Sequence, residues 1–78
     1  MTLYEGKKGN SYEITGLFVE ENITRRLEAL GLNEGTMVHV ETRKRLGAMI
    51  IKVRGTRLAI GKHITKRIEV KGEDTDDE

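Results

Sequence analysis

Between its glycines the chain alternates apolar and polar residues with a period of two, in five short runs. The first, Ser11 to Phe18, predicts a strand with Tyr12, Ile14 and Phe18 on one face. Gly16 shares that face, where a strand bends or another backbone approaches. The second, Gly35 to Lys44, turns Val38 and Val40 inward and Met37, His39 and Glu41 the other way. In the third, Ala48 to Arg54, Met49, Ile51 and Val53 alternate with Ile50, Lys52 and Arg54. Arg54-Gly55-Thr56 is a tight-turn signal leading into a short fourth strand, Arg57 to Ile60. Arg67 to Lys71 is the fifth, with Ile68 and Val70 inward.

One segment breaks this period. From Asn22 to Leu30, Ile23, Leu27 and Leu30 recur at i, i+4 and i+7, the stripe of a helix. Asn22 is a suitable N-cap, and Glu20 and Glu21 favour the positive end of the helix. Gly31 occupies the position where a left-handed C′ residue is wanted, and Leu32 with Leu27 provides the apolar contact of a Schellman stop. So short a helix is unstable alone in water and must pack on the strands through Ile23, Leu27 and Leu30.

A strand, a short helix and four more strands predict a mainly β fold: a small five-stranded SH3-like barrel with one short helix after the first strand. An OB-type barrel is the nearest alternative, but its helix usually falls between the third and fourth strands. With 78 residues there is room for one modest core, which excludes a two-domain enzyme with an interdomain cleft. Residues 1–72 read as the folded domain. Residues 73–78 carry five of the 13 acidic groups and no basic one, and read as a solvated, disordered tail. Without them the body has 14 basic and eight acidic residues and is near +6. No apolar run approaches the ~20 residues of a membrane span, and no signal peptide is visible, so the expected compartment is the cytoplasm, without direct membrane insertion.

Catalytic chemistry has little to work with. There is no Cys, hence no disulfide, thiolate ligand or Cys nucleophile. His39 and His63 show no metal-binding spacing, although His39 with Glu41 would offer two weak same-face ligands. Ser11 lies in no Gly-x-Ser-x-Gly, and there is no phosphate-binding P-loop. The chain reads as a non-enzyme with neither cofactor nor metal site. Binding is the better expectation. Arg43, Lys44 and Arg45 cluster in one hairpin loop, with Arg54 and Arg57 flanking another. A basic β-barrel of this size could bind RNA or single-stranded DNA, but the aromatics that would stack bases, Tyr4, Tyr12 and Phe18, all lie near the N-terminus. Apolar residues beside the basic loop, Leu46 and Met49, point instead to a protein-binding patch together with Arg43 and Arg45. The exposed helix face with Arg25 and Glu28 is a second candidate, while Arg26 borders the apolar stripe. Exposed barrel edges would also allow a weak homodimer.

The run Arg25-Arg26-Leu27-Glu28-Ala29-Leu30-Gly31-Leu32-Asn33-Glu34-Gly35-Thr36 resembles the signature of FeoA-type proteins of bacterial ferrous iron transport. In that family an Arg-Arg-Leu helix leads into Leu-Gly-Leu-x-x-Gly-Thr and a strand. Arg45-Leu46-Gly47, Ile51-Lys52-Val53-Arg54-Gly55, Leu58-Ala59-Ile60-Gly61 and Ile68-Glu69-Val70 resemble its later strands in order and spacing. The likeness spans residues 5 to 71. The family's Pro-Leu-Gly-Asp-Pro hairpin is here Arg45-Leu46-Gly47-Ala48-Met49. The resemblance implies a cytoplasmic SH3-like adaptor acting on FeoB, the membrane ferrous-iron transporter with a cytoplasmic GTP-binding domain. It implies that the adaptor carries no iron itself; a nucleic-acid partner is not expected, and a small basic barrel binding RNA or single-stranded DNA is the alternative. The same fold occurs as the C-terminal domain of iron-dependent repressors, fused there to a helix-turn-helix domain.

Overall fold

The computed structural model describes residues 1–72. The acidic tail expected at 73–78, and with it the domain boundary at 72, lies outside the described residues.

The period-two runs form five strands: β1 (Ser11–Leu17), β2 (Met37–Arg43), β3 (Met49–Val53), β4 (Thr56–Ile60) and β5 (Ile68–Gly72). They make one antiparallel sheet in the order β4-β3-β2-β1-β5. The helix after the first strand is α1 (Glu21–Ala29), and a single turn, α2 (Lys62–Thr65), precedes β5. Inward residues of every strand meet in one core, with Ile14, Val40, Met49, Ile51 and Ile68 fully buried. The β3–β4 turn has both central residues, Arg54 and Gly55, at positive φ, the geometry that follows the right-handed twist of a hairpin.

The helix stop forms as expected. Gly31 adopts φ +100°, its N–H donates to the Glu28 carbonyl, and the Leu32 N–H donates to the Leu27 carbonyl, 3.0 Å each. Leu27 and Leu32 are both buried. The start differs. The helix begins two residues early with Glu20 as N-cap, so Asn22 is inside the first turn. Thr24 tethers this end by donating its hydroxyl to the Val19 carbonyl at 3.2 Å. Leu30, expected in the core, is the C-cap residue and 46% exposed, because the turn at Gly31 passes the inward position on to Leu32.

Phe18, expected to face inward, is 63% exposed. A bulge explains it. Ile14 pairs with Val70 but Gly16 pairs with Glu69, so β1 carries one extra residue, Thr15. After the bulge Leu17 packs on the core and the alternation sends Phe18 out. Its ring lies across Gly16, where a Cβ would sit 2.7 Å from Phe18 Cε2. Leu3, which belongs to none of the periodic runs, is fully buried. It sits on a 3₁₀ turn (Leu3–Glu5) whose preceding residue, Thr2, bridges to Glu69 on β5.

Met49 is fully buried on β3. It cannot belong to an exposed docking patch; its alternation with Ile50 puts it on the core face.

Two substitutions test this account by denaturant unfolding. Leu32→Ala should cost about 2–5 kcal/mol through lost burial and a cavity. Gly31→Ala should cost about 1–2 kcal/mol, since a Cβ is strained at this φ and would stand 3.3 Å from Val53 Cγ1.

Candidate docking surface

The β2–β3 connection carries the basic run. After β2 the chain makes a 3₁₀ turn over Arg45–Gly47 and returns at Met49. The turn is closed by Lys44 N–H donating to Ala48 O at 2.7 Å and Gly47 N–H to Lys44 O at 3.3 Å. At its apex Leu46 holds φ 67°, ψ 12°, in the left-handed region that non-glycine residues avoid. Its side chain is 92% exposed. A leucine in strained backbone, directed into water, stabilises neither the core nor the turn. Both terms oppose it, and strain of this kind concentrates at functional sites.

Gly47, also left-handed at φ +88°, lies under the Lys62 stem of α2; a Cβ there would sit 2.8 Å from Lys62 Cδ. The hairpin is therefore seated on α2 rather than swinging free. Arg43 has a structural task. Its Nη1 donates to the carbonyls of Tyr4 and Gly6, the latter at 2.8 Å, and its guanidinium stands 5.1 Å from the Tyr4 ring centroid. Lys66, just after α2, stands 5.0 Å from the same ring. Arg43, Lys44, Arg45, Lys62 and Lys66 thus gather around Leu46 and Tyr4.

Of the residues expected to form the patch, the structure brings together Arg43, Arg45 and Leu46 and withdraws Met49. Tyr4, Lys62 and Lys66 join it unforeseen, since no local pattern links Tyr4 to a residue 39 positions later. The expectation that no aromatic lies near the basic loop fails here, because the 3₁₀ turn at Leu3 carries Tyr4 to it. The second candidate, Arg25 and Glu28, lies on the exposed face of α1. Arg25 is paired there with Glu21 at 2.7 Å, both largely in water, so the pair contributes only about 0.3–0.5 kcal/mol. Arg26 is exposed as well. Phe18 lines a cleft of about 300 Å³ with Val19, Ile23 and Ile64, rimmed by His63 and Arg67.

Ser11 Oγ lies 2.9 Å from His39 Nδ1, and Glu41 accepts from Arg57 Nε at 3.2 Å, so each member of the possible His39–Glu41 ligand pair has another neighbour. Among the described residues no group of three or more His, Asp or Glu side chains gathers to hold a metal ion. No helix there is long and apolar enough to cross a membrane.

A five-stranded antiparallel sheet with a short helix after the first strand is the SH3-like fold. The chain belongs to the FeoA family: the family's FeoA domain matches residues 1–72. It is similar to the FeoA protein of Chlorobium tepidum, at 29% identity and TM-score 0.92 over 99% of this chain and 74% of that one. The crystal structure of an iron uptake regulatory protein, also a FeoA, shares 30% identity at TM-score 0.81 over 91% and 93% of the two chains. The FeoA of Stenotrophomonas maltophilia, solved with zinc and described as a prokaryotic SH3-domain protein, shares 29% at TM-score 0.78 over 91% and 89%. A search of curated proteins found no match. The family is one of small accessory proteins associated with ferrous iron transport.

If Leu46 is held in strain for binding, replacing it should not weaken the fold. Leu46→Asn, which tolerates left-handed backbone better, should raise unfolding free energy by about 0.5–1 kcal/mol. Lower stability in urea titrations would show that the apex leucine serves the fold.

Proposed function

We propose that the protein is a cytoplasmic adaptor of ferrous iron uptake that docks on the cytoplasmic portion of a FeoB-type transporter and modulates its transport or GTP turnover. It acts as a binding module, not an enzyme, and holds no cofactor or iron of its own. The observation that carries this reading is Leu46, 92% exposed at the strained apex of a basic hairpin in a FeoA-family chain. A solvent-directed leucine ringed by Arg45, Lys44 and Arg43 fits an apolar socket with a polar, acidic rim. Burying such a side chain contributes about 1.5–3 kcal/mol. The charges around it steer encounter more than they add affinity. Docking alters the transporter only by the difference in affinity for its two conformations.

The test is an anaerobic pull-down from detergent-solubilised cells at moderate salt with nuclease treatment, read by mass spectrometry. Recovery of the GTP-binding iron transporter is expected. Leu46→Asp with Arg45→Glu should abolish it, and Arg25→Ala with Glu28→Ala should leave it intact. Capture unchanged by the hairpin variant would move the docking face to α1. Recovery of RNA-associated proteins that vanish with nuclease would replace the adaptor reading with a nucleic-acid one.

A further inference from the structure

Beside the hairpin lies a shallow, open cleft of about 360 Å³ lined by Tyr4, Glu5, Gly6, Lys7, Lys8 and Arg43. Its walls are fixed. Leu3 anchors the 3₁₀ turn in the core. The Lys7 N–H donates to the Tyr12 hydroxyl at 2.8 Å, and the Gly9 N–H to the Val40 carbonyl at 2.8 Å. Gly6 is required for the close approach, since a Cβ there would stand 2.9 Å from Tyr12 Cε2.

The charge is nearly all of one sign. Lys7 and Lys8 extend from one wall, Arg43 forms the other, and Lys66 stands on the Tyr4 ring. Among the described residues none of these four cations pairs with a carboxylate. The one acidic residue of the lining, Glu5, is turned to the Thr2 N–H, 2.7 Å from its Oε1. Arg43 uses only Nη1 to hold Tyr4 and Gly6, which leaves the rest of its donor fork for an acceptor.

We propose that this cleft binds an acidic, extended peptide segment of a partner protein, with its carboxylates on Lys7, Lys8, Arg43 and Lys66. Two cations on the single Tyr4 ring leave it a poor platform for stacking nucleotide bases. The cations come from three separate segments of the chain and include flexible lysines, which suits several carboxylates of one chain better than a single phosphate. The inference rests on the docking reading only for where such a segment would come from; the chemistry of the cleft stands without it.

The probe is a fluorescein-labelled peptide of alternating Asp and Glu, titrated into the full-length protein, with amide shifts mapped by NMR. Shifts should be largest at Gly6, Lys7 and Lys8 and on the Tyr4 ring. Affinity should fall about tenfold between about 50 and 200 mM salt as the charges are screened. Lys7→Ala with Lys8→Ala, both exposed and so harmless to folding, should weaken binding about fivefold or more. Lys52→Ala, exposed on β3, should change it less than about twofold. Leu46→Asn should leave it unchanged. Shifts spread evenly over Arg25, Lys52 and the other surface cations would overturn the proposal. So would tighter binding of single-stranded RNA or phosphatidylglycerol vesicles at the same salt. Loss of transporter capture in the Leu46 and Arg45 variant, with no peptide binding here, would refute the cleft and leave the docking reading standing.

Discussion

The fold depends on the reversal at Gly31. The chain must leave α1 and enter β2, the middle strand of the sheet, without wasting the inward position next to the helix. A left-handed residue does this in one step. Gly31 at φ +100° lets the Leu32 N–H reach back to Leu27 and places both leucines in the core. The segment from Asn33 to Thr36 then sets the register of β2. Gly35 donates to Ile14 O and Ile14 to Thr36 O, at 2.7 and 2.9 Å, so β1 is fastened to the segment that the reversal delivers. Because β2 pairs with both β1 and β3, an error here would displace every inward side chain of the sheet.

That middle strand also positions the hairpin beyond it. β2 has its own bulge at Glu41, between Val40 and Thr42. It then ends at Arg43, which is tied to Tyr4 and Gly6, while Lys62 lies over Gly47. The turn between these two anchors has little freedom left. A side chain already fixed in its projecting position loses less entropy on docking than one on a loose loop. Leu46 therefore strains the free protein and, on the proposed docking reading, would give up little freedom on binding.

Most of the architecture was legible because its signals were local. The period-two runs, the stripe of Ile23 and Leu27 and the Gly31 stop each fall within a dozen residues, and each formed within a residue or two of expectation. The features that were not legible arose at a distance. Phe18 faces outward because of a bulge that is defined by pairing with β5, some fifty residues on. Leu3 is buried because its turn is tied to β5 through Thr2 and Glu69, a contact without a sequence pattern. The site was half legible for the same reason. Arg43, Arg45 and Leu46 are neighbours in the chain, whereas Tyr4 and Lys66 reach them only through the fold. For Met49 two local signals conflict, proximity to the basic hairpin and alternation along β3, and the alternation decides because it is what the core enforces.

The burial of Met49 changes the chemistry expected of the surface. With two apolar side chains the patch would have been a small hydrophobic contact with a few charges at its edge. With Leu46 alone it is one apolar contact inside a field of lysines and arginines. A single leucine supplies too little burial to select a partner, since many surfaces offer a pocket for one. On the proposed docking reading selection would come from the charges, which penalise any partner that is not acidic opposite them. On that reading the two parts would divide the work: the basic surround would choose and orient the partner, and burial of Leu46 would set how long it stays. The strain at φ 67° falls on the second part, where a rigid projecting side chain matters most.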